Sequence, residues 1–250
     1  MRVYVTLVRR ELGSYFASAT GYVIIAAVLF LLGLSFIDML AKLNAEPSHA
    51  PVSELFFVTL YFWIILLLTA PVMTMRTFAL EKFSGTYETL MTAPVGDVAV
   101  VLAKFTGALL FYLFTWLPFL GYLVIVHRYA TGTFQFDLHI LASTFLGLTL
   151  IGAVYMALGC FASALTNNQI VAAMLSYALG LALFVLSLRA LMPVPGGGWP
   201  MRLFEYISMS EHMENFARGV IDTRPISLYL SLTVFFLFLT LKVVESRRWK

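Results

Sequence analysis

Long uninterrupted apolar blocks constrain this chain more than any other feature. A hydrocarbon layer about 30 Å thick needs roughly 20 apolar residues per helix. The blocks Thr20–Leu40, Leu55–Met75, Val98–Val126, Leu138–Leu165, Ile170–Met192 and Ile226–Val244 meet that length. With 61% hydrophobic and only 12% charged residues, the chain reads as an integral membrane protein. The expected fold is all-α and polytopic: one transmembrane domain over residues 1–250 with six transmembrane helices. The third block is longer than a span needs and contains Pro118, so tilt or a kink is expected there. The stretches "NAEPSHAP", "TGTFQFD" and "TNNQ" supply the breaks between blocks.

Orientation follows from the basic residues beside the spans. Arg2, Arg9, Arg10, Arg76, Lys82, Lys104, Lys242, Arg247, Arg248 and Lys250 fall on one side; Lys42, Arg128, Arg189, Arg202, Arg218 and Arg224 fall on the other. The bias, about ten against six, makes the first side cytoplasmic, together with both termini. The small residues Ala17–Ala19 precede the first apolar run, whereas a signal cleavage site follows one, so the first span is expected to be retained. The expected location is the cytoplasmic (inner) membrane of the cell, with the lipid bilayer as a direct partner. No nucleic-acid partner is expected.

Three segments outside the spans carry pattern. In residues 1–19, Val5, Val8, Leu12 and Tyr15 recur at spacings of three and four, with Arg9 and Arg10 on other faces near lipid phosphates. That spacing fits an amphipathic interfacial helix; an extension of the first span fits it as well. In residues 76–97, Tyr87, Leu90 and Met91 form a short apolar stripe beside Glu81, Lys82 and Glu88, bounded by Gly85 and Pro94. Acidic residues on such a helix disfavour an anionic lipid surface and favour a protein partner, while an ordinary solvated loop stays open. In residues 193–224, Leu203, Phe204 and Ile207 make one stripe. "SMSE" from Ser208 can cap a helix ending near Gly219, whose inner face would be Met213, Phe216, Ala217 and Val220. An amphipathic helix on the outer leaflet fits the same residues, and Trp199 suits an interface.

Several chemistries find no motif. "PGGGW" has glycines but no lysine after them to hold phosphates, so this chain is not expected to hydrolyse ATP or to be an enzyme by itself. No H-E-x-x-H or G-x-S-x-G motif is present, and Cys160 is the only cysteine. Met209, His212 and Met213 could hold a soft metal, but methionine more commonly fills gaps in packing. Asp38, Glu54, Arg189 and Lys242 lie near span ends, whereas an ion-coupled carrier often keeps a carboxylate at depth. No catalytic, cofactor-binding or metal site is expected.

At "EKFSGTYETLMTAPV" the chain resembles the membrane subunits of type 2 ABC exporters (ABC-type transporter permeases). The residues that carry the likeness are Glu81, Gly85, Thr86, Glu88 and Pro94. The resemblance extends to the amphipathic start, the six spans and the end "FARGVIDTRPISLYLSLTVFFLFLTLKVVESRRWK", which looks most like the gliding-motility-associated permease subgroup. It implies that residues 76–97 form a coupling helix docking on a separate ATPase (nucleotide-binding) subunit, with Glu81 and Glu88 making polar contacts and Tyr87, Leu90 and Met91 the apolar one. ATP and magnesium would be bound by that partner, with no cofactor in this chain. A second permease subunit completes the complex. Residues 193–224 would form short re-entrant helices of an external gate, with Leu203, Phe204, Ile207, Met213 and Phe216 on it. An ion-coupled secondary transporter and a non-transporting scaffold of a motility or envelope complex remain the alternatives.

Small residues at intervals of four, Ala153 and Ala157, Gly159 and Ser163, Ser176 and Gly180, Ala178 and Ala182, permit close approach between spans. The first and fifth spans are the first candidates for a contact with the second subunit. Phe111, Tyr112, Phe114, Trp116 and Phe119 of the third span either line a path for cargo or face lipid.

Overall fold

The structure, a computed structural model, describes residues 2–45, 51–57, 59–86, 95–129, 137–188 and 206–248. All regular structure among them is helical: α1 (Arg2–Phe16), α2 (Ala19–Ala45), α3 (Val52–Phe57), α4 (Leu60–Thr74), α5 (Ala79–Phe83), α6 (Asp97–Thr115), α7 (Leu117–Tyr129), α8 (Leu138–Leu165), α9 (Gln169–Leu188), α10 (Met209–Ala217) and α11 (Thr223–Arg248). Six stretches are long and apolar enough to cross a membrane: 19–44, 60–83, 97–129, 138–165, 169–188 and 223–246. The protein is a multi-pass membrane protein. The chain's two ends lie at the same end of the bundle, which we call the terminal end; the opposite one is the far end.

The fourth span, α8, is the axle of this bundle, 72% buried along its apolar window against 17% for the last span. It packs on α11, α9, α10, α4 and α6. Its small residues make that possible. A Cβ on Gly152 would lie 2.2 Å from the Tyr112 ring and one on Gly159 would lie 2.1 Å from the Thr74 hydroxyl, so two neighbouring helices come nearer than any larger residue permits. Ser176 and Gly180 are also buried, the latter's carbonyl accepting a hydrogen bond from the Tyr155 hydroxyl at 3.2 Å. The pair Ala178 and Ala182 differs from expectation: both are exposed on the outer face of α9, so within this chain they stitch nothing together.

The third span breaks where Pro118 predicts, because a proline lacks the N–H that would continue the ladder. Trp116 sits between α6 and α7, its N–H reaching back to the Leu113 carbonyl at 3.1 Å. All but one of the five aromatic residues around the break turn into the bundle. Phe111, Tyr112, Trp116 and Phe119 are buried, and only Phe114 is exposed. Trp116 and Phe119 join Phe56, Phe57, Phe62 and Trp63 in one cluster of tilted and edge-on rings with centroids 4.6–5.7 Å apart. That cluster also corrects the start of the second span. Phe56 and Phe57 belong to the separate helix α3, turned into the aromatic core, so the span begins at Leu60.

Candidate functional site

The helix that opens the chain lies along α6 rather than free in an interface. Its inward face is the buried Tyr15 with the half-buried Tyr4, Val8, Glu11 and Leu12, while Val5 is exposed, a correction of one position to the expected stripe. The hydroxyls of Tyr4 and Thr106 are 2.7 Å apart. Tyr15 stacks on Phe111 at 4.6 Å and donates from its hydroxyl to the Met73 carbonyl at 3.0 Å. Burial pushes the Tyr15 phenol far above its ordinary pKa, so it stays a donor. After Tyr15 the chain turns through Ala17 and Ser18 into the first span. A Cβ on Gly21 would lie 2.0 Å from the Tyr15 carbonyl oxygen, so only glycine fits this corner.

Beneath that corner four charges close a ring. Lys104 Nζ lies 2.8 Å from Glu81 Oε1 and 3.2 Å from Glu11 Oε1; Arg10 Nη2 lies 3.2 Å and 3.1 Å from the same two oxygens. The charges alternate in sign, and each cation bridges α1 to α5. Lys104 is only 2% exposed, entering from α6, and its ammonium also lies 5.3 Å from the centre of the Phe78 ring. It stands seven residues into the third span, about 10 Å along the helix axis. A buried cation at that depth needs compensation, and the two glutamates supply it. Glu81 therefore points into this chain. Its second oxygen, Oε2, is buried and takes no hydrogen bond from the described residues.

The short helix α5 is tied to the axle by its backbone. The Ser163 hydroxyl accepts from the N–H groups of Phe78 and Ala79, both at 3.1 Å, satisfying donors that a helix start leaves open. Lys82 donates to the Ala164 carbonyl. Gly85, with φ of 74°, turns the chain out of α5 in a conformation that favours glycine. Thr86 follows, exposed, its hydroxyl 2.8 Å from that of Ser84. Tyr87, Glu88, Leu90, Met91 and Pro94 lie outside the described residues. Of the expected interfacial residues, Arg9 is exposed, Arg10 enters the ring and Leu12 packs against the main core.

The far end holds the second expected site. Leu203, Phe204 and Trp199 lie outside the described residues, and Ile207 is half-buried. Met213 and Phe216 are buried on α10, Phe216 filling the space over Gly147 of α8. Two expectations are corrected. The serine at the start makes no capping bond; the Met209 N–H instead donates to Ser187 at 2.7 Å. Val220 is exposed because α10 ends at Ala217 and Gly219, at φ of 87°, reverses the chain before it. The Ser53 hydroxyl donates to the Ala217 carbonyl at 2.6 Å, and Arg218 pairs with Glu54 at 2.9 Å and with Glu214, which raises the guanidinium's already high pKa.

His212 is buried among these groups with Nδ1 2.9 Å from the Tyr229 hydroxyl, and burial holds its pKa below the ordinary 6.5 although nearby Asp222 opposes the shift. The unfolded chain therefore takes up this proton before the folded one does, so stability is full above about pH 6.5 and falls as pH drops through the folded pKa. Thermal melting between pH 8 and pH 5 should slope downward on acidification, and His212→Gln should flatten part of that slope. Identical slopes in both proteins would remove His212 as the cause.

The ring's Glu11 and Lys104 were not among the sequence candidates. Each carried a signal: Glu11 occupies the apolar register of α1, and Lys104 interrupts an apolar block among Val100, Val101 and Ala103. No curated protein matches the chain. Residues 14–244 match the family described as ABC-2 family transporter protein. That match covers nearly all of the chain and every membrane-spanning helix, and with six spans and an all-helical bundle it leads to one conclusion: the chain belongs to the ABC-2 transporter family, as a membrane permease subunit.

Proposed function

We propose that this permease is the membrane half of an ATP-driven exporter of the cytoplasmic membrane. Both termini and the 76–97 segment would be cytoplasmic, and that segment would dock on a separate nucleotide-binding subunit carrying ATP and magnesium. The ring carries this reading. A loop that transmits force must be fixed to the helices it moves, and Lys104 joins the base of this segment, through Glu81, to the third span and to α1. Closure of paired ATPase subunits would then shift α1, α5 and α6 together and switch a pair of permeases between two states. With Glu81 engaged inside the chain, contact with the ATPase falls to Tyr87, Glu88, Leu90 and Met91 of the same segment. The C-terminal likeness to gliding-motility-associated permeases belongs to the same proposal.

Affinity purification of the tagged chain from its host in mild detergent, with ATPase activity assayed, tests it. A stoichiometric ATPase should copurify and be lost with Tyr87→Ala plus Leu90→Ala. An intact permease without ATPase in either preparation would overturn the reading in favour of an ion-coupled carrier or a scaffold.

A further inference from the structure

At the terminal end the ring forms one wall of a cavity of about 630 Å³, and Arg76 forms another. Arg10, Arg76 and Lys104 line it against Glu11 and Glu81, three cations to two carboxylates, which leaves one positive charge. That charge belongs to Arg76. The ring neutralises itself, whereas the Arg76 guanidinium meets only hydroxyls: Ser18 Oγ at 2.8 Å and Thr20 Oγ1. No carboxylate among the described residues pairs with it, although other cations at this end are paired.

The place of this guanidinium decides its ligand. Ser18 and Thr20 flank the start of the first span, and Arg76, just after α4, bonds to both, so the group sits where the first span meets the headgroup layer. Ser14 and Thr77 also line the cavity, their hydroxyls donating to the Glu11 and Thr74 carbonyls. A planar guanidinium fork beside the Ser18 and Thr20 hydroxyls matches the oxygens of a phosphate group, more of which need satisfying than in a side-chain carboxylate. We infer that Arg76, with the hydroxyls of Ser18 and Thr20, binds the headgroup phosphate of an anionic phospholipid at the corner between α1 and the first two spans. The lipid would brace this corner from the membrane side. The inference stands apart from the ATPase reading, because the site lies wholly within this chain.

The test uses the full chain alone, purified in a neutral detergent, with thermal melting followed as phosphatidylglycerol, phosphatidylcholine or inorganic phosphate is added. Phosphatidylglycerol should stabilise at the lowest concentration. Arg76→Gln should raise the half-saturating concentration about five- to tenfold, the loss expected for one headgroup-facing cation that also makes a charge-assisted bond. Lys242→Gln, which removes another basic residue at the same end, should change it less than about twofold. Arg76→Lys, which keeps the charge without the fork, should fall between and serves if the glutamine variant does not fold. Equal losses in Arg76→Gln and Lys242→Gln would reduce the effect to general attraction and overturn the site. Equal stabilisation by millimolar inorganic phosphate would make it a free-anion site. Lipid affinity unchanged in Arg76→Gln would overturn the site outright.

Discussion

Lys104→Met should be the most damaging single substitution at the terminal end, destabilising the protein by about 3–5 kcal/mol. The methionine fills the space of the lysine chain, so the loss does not come from a cavity. It comes from Glu11 and Glu81, whose carboxylates lie together and keep only Arg10, a residue 55% exposed, as counter-charge. A buried ion pair adds little to net stability over an apolar replacement, but removing one partner strands the other. The double variant Lys104→Met, Glu81→Gln should therefore recover much of the loss, since Arg10 and Glu11 remain a pair. Melting in detergent checks the stability, and proteolysis of α1 checks its release. A Lys104→Met protein no less stable than Lys242→Met would show that the ring does not hold α1 in place.

Gly21→Ala and Gly13→Ala should have opposite signs. Each replaces a glycine in or beside a helix, and intrinsic helix preference favours alanine by up to about 1 kcal/mol. At Gly13 nothing lies within 4 Å of the new methyl group, so that gain should appear in full. At Gly21 the methyl would meet backbone: the Tyr15 carbonyl oxygen at 2.0 Å and its carbon at 2.9 Å. Tyr15 cannot yield easily, being stacked on Phe111 and bonded to the Met73 carbonyl. Overpacking of this kind costs about 1–3 kcal/mol or more, which exceeds the propensity gain. Melting temperatures should rise for Gly13→Ala and fall for Gly21→Ala, with α1 becoming protease-sensitive only in the latter. Equal shifts would mean that the corner adapts.

What the sequence disclosed was whatever depends on neighbours along the chain. The apolar blocks matched the spans within a few residues, Pro118 marked the break in the third, and Met213 and Phe216 fell on the buried face of α10. The errors arose where distant contacts decide. Phe56 and Phe57 are apolar enough to begin a span, yet they turn into an aromatic core whose other members lie far along the chain. Val5 and Tyr4 compete for one face of α1, and the hydroxyl of Thr106 favours the tyrosine. Glu81 reads as a charge facing a partner, and only the fold brings Lys104 and Glu11 beside it. Ala178 and Ala182 have the spacing of a helix contact but face away from the rest of the chain.

The position of α8 has a consequence for how the protein is made. Its main covering helix, α11, leaves the ribosome after the other five spans described. Until then the face of α8 that carries Phe161 and Cys160 waits in lipid, or in the company of insertion machinery, with its last neighbour unmade. The earlier spans can enter the bilayer one at a time on their own hydrophobicity. Closure of this bundle thus waits for α11, and a chain stopped before residue 223 would be membrane-inserted yet unassembled, a natural substrate for membrane quality control.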